Sequence, residues 1–156
     1  MIYKDIKKDL LKSIPNPNKK DYEIKIKIPE FTFLGVKDQP DFADVYITMF
    51  PDQKIIELKS LKKYCQQLRE IIVSYERLID VFFQHLTETY EPKKLAVVMI
   101  FNPRGGISSK LTMKSDWPSV EDIAVENDVW WNVIHLSNNK HYYFFCLFVQ
   151  TKILFQ

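Results

Sequence analysis

The chain has 156 residues, 46% hydrophobic and 27% charged: enough apolar material for one domain with a real core, and too little length for two. A formal charge of +2 argues against a dedicated nucleic-acid binder, because Lys7-Lys8 and Lys19-Lys20 lie among Asp5, Asp9 and Asp21 as on a solvated, mixed-charge face. Cys65 and Cys146 form no disulfide framework, and no apolar run approaches the roughly 20 residues of a membrane span.

The start, MIYKDIKKDLL, has no apolar region behind its lysines, so a reduced cytoplasmic protein without membrane contact is the expectation. Residues 1–20 read as a short amphipathic or irregular lead-in ending at the turn signal IPNPNKK. DYEIKIKIPE alternates strictly, Tyr22, Ile24, Ile26 and Ile28 against Glu23, Lys25 and Lys27, which predicts a half-buried strand ended by Pro29. EFTFLGVKDQPDFA follows as a loop with the look of an active site, yet it holds no Cys, Ser or His. ADVYITMF is a second strand, and Pro51 to Lys54 a turn.

From Glu57 the period changes. Leu58, Leu61, Tyr64, Cys65 and Leu68 recur at helical spacing, predicting a helix to about Glu70. A second helix starts near the N-cap Ser74, with Glu76 in its first turn and an apolar stripe of Leu78, Ile79, Phe82, Phe83 and Leu86. KLAVVMIF and ISSKLTMKS are two further strands joined by the turn NPRGG. The order of two strands, two helices and two strands predicts an α+β domain over 21–115, an antiparallel four-stranded sheet with two helices on one face. Its open edges predict pairing between subunits in a homo-oligomer. Residues 116–156, dense in aromatics and without a clear period, read either as a C-terminal docking segment or as a tail that is no evolved part of the domain.

Several residues carry possible chemistry. Lys59, Lys62 and Lys63 could offer point charges to phosphates or form a solvated helix face. Glu76 reads by itself as a plain first-turn helix acid. Asp41 reads by itself as a turn or capping aspartate. Cys65 sits at an apolar helix position, where a buried, inert thiol is expected, and Lys37 is a nucleophile only if desolvated. His85, His135 and His141 show no ligand spacing, so no metal site is expected.

Taken together, PNPNKKDYEIKIKIPEFT, QPDFADVYI, ELKSLKKY and FNPRGGIS resemble the NADPH-dependent 7-cyano-7-deazaguanine reductases, the nitrile reductases of queuosine biosynthesis and tRNA modification, in their short single-domain form. The resemblance covers about residues 13–110. It implies the tunnelling fold shared with GTP cyclohydrolase I and dihydroneopterin aldolase, in which subunits close a β-barrel with active sites between them. It further implies a purine- or pterin-like small-molecule substrate and NADPH held along Glu57, Leu58, Lys59, Ser60, Lys62 and Tyr64. Glu76 would anchor the heterocycle, and Asp41 would manage the proton of the nitrile nitrogen. Two positions depart from the family. The cysteine that adds to the nitrile carbon belongs where this chain has Gly35-Val36, in a loop one residue shorter. The histidine before the anchoring glutamate is Tyr75. Substrate binding at Glu76 and Gly35 is therefore expected, with Asp41 and Tyr75 the remaining candidates for catalysis. The alternatives are another enzyme on the same scaffold, using Tyr75 and Asp41 as acid and base, and a non-catalytic heterocycle-binding assembly subunit.

Overall fold

Alternation and helical periodicity become an α+β architecture in the computed structural model, which describes residues 1–115; the reading of the C-terminal segment lies outside the described residues. Strands β1 (Ser13–Pro15), β2 (Ile24–Leu34), β3 (Pro40–Phe50) and β4 (Lys54–Ile56) precede helices α1 (Leu58–Gln67) and α2 (Tyr75–Tyr90). Strands β5 (Lys94–Arg104) and β6 (Ile107–Lys114) follow. One antiparallel sheet has the order β2-β3-β5-β6, and β1 pairs with β4 in a second, two-stranded one.

The period of two along the strands sorts the large sheet into two faces. Phe31, Phe33, Val45, Ile47, Met49, Val97, Met99 and Phe101 point to one side and are buried with Leu61, Tyr64 and Leu68 of the first helical segment and Leu78, Ile79, Phe82 and Leu86 of α2. Phe82 meets Phe31 edge-on at 5.6 Å between ring centroids, and Tyr64 lies 5.8 Å from Phe82. Burying each such phenylalanine contributes about 2–3 kcal/mol, so this layer holds the fold together. The opposite face carries Lys27, which pairs with Asp44 at 3.1 Å and lies over the Tyr46 ring.

Both helices begin at side-chain caps. The Glu57 carboxylate accepts from Lys59 N and Ser60 N, and Ser74 Oγ accepts from Arg77 N. The second helix ends at Glu91, which takes the left-handed conformation with φ 46° just ahead of Pro92.

Three features differ from the reading of the sequence. β2 does not stop at Pro29: the ladder passes from Ile28 opposite Val45 to Phe31 opposite Ala43, so Pro29 and Glu30 form a bulge, where a missing N–H costs no ladder bond. The suspected loop is therefore mostly the two arms of a hairpin, with only Gly35 to Gln39 outside the strands. The lead-in is built into the domain: Ile6 and Leu11 are in the core, and β1 lies along β4. On the far side of the sheet, the strand reading of 94–101 extends to Arg104, and the turn itself is Gly105-Gly106, with φ of 58° and 81°.

Candidate active site

The tip of the β2–β3 hairpin is closed by two backbone bonds, Gly35 N to Gln39 O at 2.7 Å and Asp38 N to Gly35 O at 2.8 Å. Asp38 takes the left-handed conformation, φ 58°, which aspartate tolerates better than most residues. The segment ahead of α2 is laid against this hairpin. Leu34 N donates to Ile71 O and Val73 N to Leu34 O, both at 3.0 Å. That short pairing delivers the first turn of α2, with Tyr75 and Glu76, next to the end of β2.

Asp41 is the centre of the resulting group. It is only 5% exposed, and its Oδ1 lies 2.5 Å from Nε of Arg104 at the end of β5. The same guanidinium donates to Gln39 Oε1 at 2.7 Å and to the Pro40 carbonyl. Arg104 thus ties three consecutive residues of β3 and its turn to the β5–β6 end of the sheet. Such a fork-shaped set of donors suits arginine and not lysine.

The other oxygen of Asp41 faces Gly35. A Cβ built on Gly35 would lie 2.7 Å from Asp41 Oδ2, closer than any real Cβ contact allows. Gly35 has an ordinary φ, so here the missing side chain supplies space and not conformational freedom. At the Gly35-Val36 position, where the resemblance calls for a cysteine, the chain has a glycine packed against a carboxylate oxygen.

Tyr75 completes the group. Its ring stacks on Phe101 at 3.9 Å with the planes 4° apart, and Phe33 meets it edge-on at 5.7 Å. Burial pushes its phenol above the usual range, the Asp41 carboxylate adds to the rise through its charge and a hydrogen bond, and Arg104 opposes it. A phenol raised in this way holds its proton at neutral pH, so it donates hydrogen bonds and is a poor base. Glu76 is exposed beside it. Gly35, Asp41, Tyr75 and Arg104 are brought together, with Glu76 as the exposed neighbour.

The residues assigned by resemblance to a nicotinamide cofactor divide by exposure. Leu58, Lys59 and Lys62 are exposed on α1. Glu57 is occupied as the helix cap, and the hydrogen bonds it receives from Lys59 N and then Ser60 N outweigh desolvation and lower its pKa. Ser60 is buried and bonds to Lys12 and Glu57, while the fully buried Tyr64 shares a 2.8 Å hydrogen bond with His85 Nδ1. Of these six residues, Leu58, Lys59 and Lys62 are the exposed ones.

Two clefts flank this region. One of about 280 Å³ lies between the Pro29-Glu30 bulge and α1 and is lined by Lys62, Cys65 and Arg69 among others. A second, of about 430 Å³, includes Glu30, Thr32, Phe42 and Asp44. Neither is lined by Gly35, Asp41, Tyr75 or Glu76. Burial pushes the Cys65 thiol up to about 12, so it is protonated and inert at neutral pH. Among the described residues, no three His, Cys, Asp or Glu side chains are grouped to hold a metal ion, and no helix is long and apolar enough to cross a membrane.

A family model described as QueF-like protein matches residues 40–119. The NADPH-dependent 7-cyano-7-deazaguanine reductase of Aquifex aeolicus is 40% identical over 114 residues, 72% of this chain and 88% of that one. The chain belongs to the NADPH-dependent 7-cyano-7-deazaguanine reductase family. The reductase of Thermomicrobium roseum is 41% identical over 106 residues, 67% of this chain and 83% of that one. That of Bacillus subtilis is 42% identical over 102 residues, 64% of this chain, which spans only 62% of that relative. The crystal structure of an archaeosine synthase QueF-Like in its apo form matches with a TM-score of 0.55 at 14% identity, covering 62% of this chain and 96% of that one, a likeness of fold.

The reductase resemblance had already pointed to Asp41, Tyr75, Glu76 and Gly35. For Arg104 in FNPRGG the sequence gives a structural or interfacial reading but not its partner, because the motif reads locally as a turn. The partner of Arg104 is 63 positions earlier in the chain, and only the register of β3 against β5 brings the two together.

Proposed function

We propose that this reductase-family chain binds a 7-deazaguanine through Glu76 and Asp41 and does not reduce a nitrile through a covalent thioimide. The observation that carries this reading is that Gly35 has no side chain and that a Cβ added there would lie 2.7 Å from Asp41 Oδ2, so the turn is packed for a glycine. A thioimide needs a thiolate at that point, and the nearest described cysteine, Cys65, has its proton held by burial and lines a different cleft. Glu76 supports the binding half of the reading: an exposed carboxylate at a helix start can accept the ring N–H and exocyclic amine of a guanine edge in parallel. Tyr75, stacked on Phe101, offers a donor beside it.

NADPH is proposed for this chain from its relatives, and it would supply hydride when bound. The ammonium groups of Lys59 and Lys62 fit its phosphates, whereas Ser60 and Tyr64 shape the helix from inside. The tunnelling fold, with copies of the chain closing a barrel and sites between them, is likewise a proposal. It is supported by a sheet with helices on one face, a second face bearing Lys27, Asp44 and Tyr46, and β2 and β6 as its outer strands among the described residues. A protein of this kind works in the cytoplasm on small molecules, without nucleic acid or membrane.

Titration with unsubstituted 7-deazaguanine tests the anchor. Saturable binding that falls by tenfold or more, about 1.4 kcal/mol, in Glu76→Ala supports the reading. Absence of binding to the unsubstituted and substituted heterocycles alike removes it. The acid–base alternative fares worse on the same geometry, since the raised phenol of Tyr75 and the Arg104-bound Asp41 make a poor proton-transfer pair.

A further inference from the structure

Helix α1 carries residues of two kinds. Lys59 and Lys62 are exposed, while Tyr64 is fully buried, so the ammonium groups lie outside and the phenol lies in the core. The Tyr64 hydroxyl is 2.8 Å from Nδ1 of His85 on α2, and the two rings meet nearly edge-on, 5.9 Å between centroids and 75° between planes. Phe82, one turn earlier on α2, packs against the same phenol at 5.8 Å. Leu61, Leu68 and Leu86 belong to the same buried cluster. Apolar packing of that kind is not directional, whereas a buried hydrogen bond between two helices fixes how one is rotated against the other.

Burial holds the Tyr64 phenol far above its ordinary value, so the proton stays on oxygen and Tyr64 donates. Nδ1 must then accept, which leaves the proton of the neutral imidazole on Nε2. The surroundings keep the ring neutral. Burial lowers the His85 pKa below its ordinary 6.5; Glu88 on the same helix opposes the shift, and Lys8 from the N-terminal lead-in adds to it. Those two are themselves paired at 2.5 Å. Near the phenol, burial raises Cys65 and Tyr90 to about 12, so both stay neutral. The imidazole is therefore the group in this seam that changes charge closest to neutrality. Once protonated, Nδ1 turns from acceptor to donor and faces the Tyr64 O–H as a second donor. Phe82 offers no alternative acceptor, and a buried hydroxyl left unsatisfied is costly.

We propose that His85 is a positioning residue for the cofactor: by accepting from Tyr64 it holds α1 in the setting that presents Lys59 and Lys62, and protonation of the imidazole releases that hold. This rests on the reading of those lysines as partners of NADPH phosphates. It adds that NADPH binding is governed from inside the helix pair, by a residue that never touches the cofactor. The hold is complete above pH 6.5 and is lost as pH falls through the lower folded value.

Fluorescence titration of the full chain with NADPH from about pH 8 to about pH 5.5, beside His85→Asn, tests it. Asparagine puts a carbonyl oxygen, which does not titrate, in the place of Nδ1. The cofactor's own phosphate also titrates in this range, and comparing two proteins with one ligand cancels that contribution. The unaltered protein is expected to lose at least about threefold more affinity than His85→Asn over the range, the two being alike at the alkaline end. His85→Ala, which removes the acceptor, is expected to bind more weakly by about the same factor at every pH, and asparagine to restore the affinity. Parallel pH curves for the unaltered protein and His85→Asn overturn the inference and leave the cofactor reading standing. NADPH that binds neither protein at any pH overturns the cofactor reading and the inference with it. If the variants do not fold, as circular dichroism would show, the NMR titration of His85 in the unaltered protein decides. A midpoint below 6.5 that coincides with loss of NADPH affinity supports the positioning role, and a midpoint with no accompanying loss contradicts it.

Discussion

The two hairpins that meet at Arg104 use glycine for opposite reasons. At the β2–β3 tip, Gly35 has an ordinary backbone conformation and no room: a Cβ there would run into Asp41. At the β5–β6 tip, Gly105 and Gly106 have open space around them and left-handed φ of 58° and 81°. The first glycine is a steric statement about the site, and the second pair is a conformational statement about a turn. A substitution at the first should couple to Asp41 and change binding. One at the second should cost backbone energy and leave binding alone.

The largest expected effect is at Asp41, the group that makes Gly35 special. Asp41→Ala should cost about 1.5–3 kcal/mol of affinity for 7-deazaguanine, measured by titration, as a charged hydrogen-bond acceptor is lost. The comparison would be broken by an affinity that does not change. Next is Gly35→Ala. In the unaltered protein it should destabilise by about 1–3 kcal/mol in denaturant unfolding, because Asp41 is held by Arg104 and yields only by giving up that ion pair. In an Asp41→Ala background the same change should cost much less, and a non-additivity of about 1–2 kcal/mol is the signature of contact. Full additivity would show that Gly35 and Asp41 do not touch.

Gly106→Ala should be milder, about 1–2 kcal/mol, arising from strain at φ 81°, with heterocycle affinity unchanged. A loss of affinity there would merge the two hairpins into one functional unit. The smallest effect lies away from both, at Glu57. Its pKa is lowered in the folded chain by the hydrogen bonds of the α1 cap, so its contribution is present above the ordinary carboxylate value of 4.5. That contribution fades as pH falls through the lower folded value. Glu57→Gln should flatten this acid limb of the unfolding profile without altering the site, and an unchanged profile would contradict the capping role.

The same contrast explains what could be read from the sequence. Strand alternation in residues 24–28 and the helical stripes around Leu61 and Phe82 report burial directly, so the sheet, the helices and their order were legible. The bulge at Pro29 was not, because proline reads locally as an end, and only the partner strand shows that the ladder resumes at Phe31. At the site, family motifs singled out Asp41 and Glu76 as candidates, and the absence of a cysteine at Gly35 was plain. What that glycine packs against was not. Gly35 opens the turn of a hairpin and Asp41 lies six residues on in its returning strand, while Arg104 arrives from a different strand. Nor could the sequence separate Lys59 and Lys62 from Ser60 and Tyr64, since one helical segment presents the first pair outward and buries the second.

The central claim is that this site has kept a binding pocket and lost the covalent step. Its most direct test is NADPH oxidation by micromolar protein with 7-cyano-7-deazaguanine, followed spectrophotometrically beside a titration that shows the pocket to be occupied. The expected result is saturable heterocycle binding with no NADPH consumed above background. Sustained NADPH oxidation matched by formation of 7-aminomethyl-7-deazaguanine would contradict it.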